Sequence, residues 1–93
     1  MEKLKGYEVC KVNEVMYNKL GSILKALEDD IKAEENYQID RKASIDKQTE
    51  ERGAEYTDSY YFTYDMEYLN ESKYKERAYR DIMEMLQESI ERL

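Results

Sequence analysis

Hydrophobic and polar positions follow two different rhythms along this chain. From Met16 the apolar residues recur at spacings of three and four: Met16, Leu20, Ile23, Leu24, Leu27 and Ile31. That repeat belongs to an amphipathic helix with one buried face. Asn13 followed by the acidic Glu14 marks its predicted start, a capping side chain and then a carboxylate where the helix dipole favours it. Past Ile31 the same face reads Glu34, Glu35, Gln38, Lys42, Ile45 and Thr49, so the stripe loses its apolar character. Two readings stay open: one rod over 13–52 with a solvated distal half, or a break near Asn36–Asp40. The absence of Pro and Gly between positions 22 and 52 favours the rod, and Gly53 behind Arg52 is the predicted stop.

The second rhythm has period two. Tyr60, Phe62, Tyr64, Met66 and Tyr68 alternate with Tyr61, Thr63, Asp65 and Glu67. Side chains of a strand point to opposite faces in turn, so the alternation predicts a half-buried strand over 56–68, aromatic on one side and acidic on the other. A less regular alternation, Tyr7 and Val9 against Leu4, Cys10 and Val12, predicts a strand near 4–12. A last helix is predicted over 71–92, capped by Asn70 or Ser72. Its apolar stripe is Tyr74, Ala78, Ile82, Met85, Leu86, Ile90 and Leu93. Glu28–Lys32, Glu76–Arg80 and Glu88–Arg92 are candidate i, i+4 pairs on the exposed faces. The expected architecture is α+β, a single domain over 1–93 with two helices and two strands. So thin a sheet needs helices on it or strands from a second subunit.

Composition narrows the chemistry. The 93 residues hold no His, no Trp and no Pro, one Cys and ten Tyr. Without His, the commonest general base and metal ligand are missing, and neither Cys10 nor any Ser has an imidazole to activate it. The three glycines, at 6, 21 and 53, are too far apart for a phosphate loop. Asp30 and Glu34 share a helix face but lack the loop of a calcium site. The expectation is therefore a non-enzymatic protein with no cofactor and no metal. A lone cysteine, and no apolar run of signal or membrane-span length, point to the cytoplasm of the producing or infected bacterial cell.

Charge supplies the functional expectation. The net charge is −7, and residues 28–71 alone carry fourteen acids against five bases. Such a field opposes nucleic acid and anionic membrane and favours a basic protein surface. The expected docking residues are Glu50, Glu51, Asp58, Tyr61, Asp65 and Glu67: carboxylates of the midsection, and a tyrosine among them of the type enriched at interfaces. In its most specific form the expectation is an inhibitor of phage or mobile-element type. It would hold carboxylates where phosphates lie and so block the nucleic-acid groove of an enzyme such as a host nuclease or defence complex. The bland alternatives are an acidic surface that serves solubility, and a structural or regulatory homo-oligomer, a homodimer for instance, built through the helical apolar stripes.

Overall fold

The computed structural model describes the backbone of residues 6–92 and the side chains of residues 13–92. It is a helical hairpin. Helix α1 spans Gly6–Arg52, a short α2 spans Ala54–Thr57 at the turn, and α3 runs back over Tyr60–Glu91. The molecule measures 71 × 20 × 15 Å. At ~1.5 Å per residue, the 47 residues of α1 account for the whole long axis. The 32 residues of α3 cover about 48 Å of it, so α1 outruns its partner at the open end of the hairpin.

The α+β expectation is overturned: among the described residues there is no strand. The stretch predicted as a strand at 4–12 is helical from Gly6 onward, and Leu4 and Lys5 lie outside the described residues. The Tyr-rich stretch predicted as a strand over 56–68 holds the last two residues of α2, a two-residue turn and the first turns of α3. The physical reason is a degeneracy of pattern. Residues four apart are also neighbours on one side of a helix. Tyr60, Tyr64 and Tyr68 therefore form one stripe along α3, their rings 5.7 and 4.7 Å apart in succession. Phe62 and Met66 form another, which packs on the core. A helix also satisfies its own backbone, whereas this strand had only one weak partner to pair with.

The cap of α3 is Ser59, eleven and thirteen residues before the predicted caps Asn70 and Ser72. Its hydroxyl accepts from the Phe62 N–H at 3.4 Å and donates to the Tyr56 carbonyl at 2.5 Å. The continuous reading of α1 is the one observed, and Asn13 is an interior residue rather than its cap. Gly53 stops α1 with φ 56° and ψ −132°, a conformation that a Cβ opposes. Its N–H closes the last turn on the Thr49 carbonyl at 2.8 Å, and its own carbonyl starts α2 by accepting from Tyr56 and Thr57.

The core is small and lies toward the closed end. Ile45, Tyr56 and Leu69 cluster there, with Phe62 and Met66 packed against them. Leu27 and Ile31 are buried further along α1. Between Ile31 and Ile45 the seam is polar. Glu34 accepts from the buried Ser72 hydroxyl, Gln38 donates to Glu76 at 3.2 Å, and Arg41 meets Asp65 at 3.1 Å. The fading stripe of α1 is thus not a solvated half-helix. It faces α3 and exchanges apolar packing for hydrogen bonds there.

The stripe predicted for the last helix is rotated out of the core. Tyr74 and Met85 are 74% and 67% exposed, and Ala78 and Ile82 are exposed with them. Leu86 and Ile90 of the predicted stripe are half-buried, together with Met83, which was not part of it. Of the candidate i, i+4 pairs, Glu76–Arg80 forms at 3.0 Å, and neither Glu28–Lys32 nor Glu88–Arg92 is an ion pair.

Candidate functional site

The closed end of the hairpin is built around a single buried ring. Tyr56, brought inward by the short α2, has no exposed surface. The edge of its ring meets Phe62, with centroids 5.4 Å apart and planes at 82°, an arrangement favoured by the quadrupoles of the two rings. Its hydroxyl donates to Asp65 Oδ2 at 2.7 Å. Burial, and then that hydrogen bond to the carboxylate, push the phenol up to about 12. The other oxygen of Asp65 takes the Arg41 guanidinium across the seam.

Arg41 carries the network to the surface. Nη2 donates to the Tyr37 hydroxyl at 2.8 Å, and the guanidinium carbon lies 5.2 Å from the Tyr37 ring centroid and 5.7 Å from that of Tyr68. The Tyr37 hydroxyl, with Asp65 behind it, holds the arginine above its ordinary range. Tyr68 in turn donates to the Tyr64 hydroxyl at 2.8 Å, the main reason its own phenol is raised. One flank of the hairpin is therefore a continuous aromatic surface, from Tyr37 through Arg41 to Tyr68, Tyr64 and Tyr60. Beyond Tyr68 it opens into a hollow of about 220 Å³ lined by Tyr64, Glu67, Tyr68 and Glu71.

Five of the six expected docking residues are exposed: Glu50, Glu51, Asp58, Tyr61 and Glu67. Glu50, Glu51, Asp58 and Tyr61 gather around the closed end, and Glu67 stands about two turns further along α3. Asp65 is a correction. It sits on the helix face that meets α1, where both its oxygens are committed to Tyr56 and Arg41. Nor do the carboxylates share one face. Neighbours such as Glu50 and Glu51 diverge by about 100° around α1, and Tyr61 and Glu67 by about 120° around α3. The acids ring the rod instead of forming a plane. Residues 28–71 carry a net −9. Spread over the roughly 37 Å from Glu28 to Arg52, that is under half the charge of duplex DNA, which has one per ~1.7 Å.

Sequence reasoning missed the Tyr37–Arg41–Tyr68 stack and the Ser72–Glu34 contact. The first had a visible signal, Tyr37 and Arg41 at i, i+4 on a helix; its second half depends on Tyr68 being helical. The second had none, because a serine in a polar stretch reads as a surface residue.

Among the described residues no group of three or more His, Cys, Asp or Glu is placed to hold a metal ion, and no helix is long and apolar enough to cross a membrane. No protein-family model, curated protein or solved structure matches the chain.

Proposed function

We propose that this chain is a non-catalytic protein-binding module of the cytoplasm that docks on an Arg- and Lys-rich surface of a partner protein. The observation that carries the reading is the way charge is apportioned near the closed end. The two arginines of the midsection are both engaged by carboxylates of the chain, Arg41 by Asp65 and Arg52 by Glu55. Glu50, Glu51, Asp58 and Glu67 form no ion pair among the described residues and stand in solvent. Lys42 and Lys47 are exposed on the same stretch and likewise form no ion pair among the described residues. The outward field is thus a net excess of carboxylate over ammonium, on a rod about 20 Å wide. A nucleic-acid groove of an enzyme is a partner of this chemistry, and a rod lodged in it inhibits the enzyme by occupying it. The low charge density and the distribution around the rod favour docking by a few carboxylates of the closed end over a full imitation of a phosphate array.

Affinity capture from a bacterial lysate tests this. The chain retains basic proteins at about 0.05 M salt and loses them at about 0.5 M, where the Debye length falls to a few ångströms. The variant Glu50→Lys, Glu51→Lys, Asp58→Lys, Glu67→Lys retains none of them, and the parent retains no DNA. Capture of the same proteins by the fourfold variant overturns the reading.

A second reading rests on the outer face of α3. Tyr74, Ala78, Ile82 and Met85 recur at spacings of four, four and three and are all exposed. A stripe with that spacing is the seam by which helices pack on one another. On a hairpin with so small a core, a second copy seated there adds the buried area that the monomer lacks. Light scattering decides: twice the mass of the chain for the parent, and the single mass for Ile82→Glu with Met85→Glu.

A further inference from the structure

We infer that the hollow between Tyr64 and Tyr68 is a receptor for an arginine side chain of the partner. The inference rests on the docking reading above and assigns it an anchor. Tyr64 and Tyr68 stand one turn apart on α3, their rings 4.7 Å apart at 71°, tied by the hydrogen bond between their hydroxyls. That bond joins the two rings in the free chain. Glu67 and Glu71 form the other wall of the same hollow, also one turn apart. Aromatic surface for the plane of a cation, and carboxylates for its N–H groups, together match a guanidinium better than an ammonium, because a guanidinium is planar, weakly hydrated and forked.

The molecule itself supplies the precedent. The Arg41 guanidinium already lies over the Tyr68 ring, 5.7 Å from its centroid. Asp65 compensates the charge of Arg41, so a second guanidinium at the neighbouring hollow meets little net repulsion. One internal competitor is present: Lys75 pairs with Glu71 at 3.4 Å. Both side chains of that pair are more than half exposed, and such a contact yields readily to a better-fitting cation.

Arginine is the chemistry tested, with N-acetylated triarginine amide as probe and triglutamine and trilysine amides as controls. Binding is followed on the tyrosine ring resonances at low salt. Triarginine is expected to shift the Tyr64 and Tyr68 rings saturably. Affinity should fall about tenfold or more in Tyr64→Leu and in Glu67→Gln with Glu71→Gln. Circular dichroism establishes that each variant keeps its helix content. The paired Gln variant, which changes only exposed carboxylates, carries the test alone should the Leu variant lose helix. Trilysine binding as tightly as triarginine, or triarginine shifting residues around Glu50 and Asp58 while leaving Tyr64 and Tyr68 untouched, overturns the arginine receptor and leaves the basic-partner reading standing. No shift anywhere on the chain overturns both.

Discussion

Tyr56 and Asp65, nine residues apart on either side of the hairpin turn, are joined by a hydrogen bond of 2.7 Å that links the innermost ring of the molecule to its surface arginine. The phenol has no exposed surface, and the carboxylate is about four-fifths covered, 17% of its side chain remaining exposed. Each group meets the other's need: a buried hydroxyl requires a partner, and a largely covered carboxylate requires donors.

Removing the carboxylate tests that mutual dependence. Asp65→Ala strands the Tyr56 hydroxyl and the Arg41 guanidinium together, and should lower the unfolding free energy by about 2–3 kcal/mol in urea titration. Asp65→Asn still offers an oxygen to Tyr56 and should cost about 1 kcal/mol.

The same pair sets an alkaline limit. The Tyr56 phenol titrates at about 12 when folded, against 10.0 in an open chain. A raised folded value means that the native state holds its proton more tightly. The contribution is complete below pH 10 and is lost as pH rises from 10 to 12, where the unfolded chain has ionised and the folded one has not. Unfolding free energy should fall by roughly 2–3 kcal/mol across that window. Tyr56→Phe should remove the part of the slope that this phenol supplies, leaving that of the likewise raised Tyr68, while lowering stability at neutral pH, because Asp65 loses a donor.

Ser72 marks where the two helices come closest in chemistry. It is 3% exposed and donates to Glu34 of α1. Ser72→Ala should cost about 1 kcal/mol through the lost bond. Ser72→Leu should cost about 1–3 kcal/mol through overpacking. If the larger variant is as stable as the parent by thermal melting, the seam at Ser72 is not close-packed.

Gly53 is the position where backbone alone decides. A Cβ there meets nothing within 4 Å, so the cost of Gly53→Ala comes only from the positive φ. With ψ at −132° this is outside the left-handed helical well, so we expect about 1–3 kcal/mol of destabilisation, with Gly21→Ala, an interior helical position with open space around it, stabilising by roughly 0.5–1 kcal/mol. Chemical denaturation of the two variants side by side gives opposite signs.

Much of α1 was legible in the sequence. The repeat Met16, Leu20, Ile23, Leu24, Leu27, Ile31, of which Met16 and Ile23 stand exposed, and the lack of Pro or Gly from 22 to 52 are local features, and a helix is stabilised by local bonds and local sterics. So was the inventory: no His and a net negative midsection are properties of composition. The Tyr-rich stretch was not legible. Over nine residues an alternation of period two contains the i, i+4 spacing of a helix. The choice between the two depends on whether a distant segment offers unpaired backbone or an apolar face, and here Ile45 of α1 offered the face. The fate of Asp65 was decided in the same way. Its charge is written in the chain and counts toward an acidic surface. Whether that charge looks outward or is consumed by Arg41, 24 positions away, depends on the rotation of one helix against another, and only tertiary packing sets that angle.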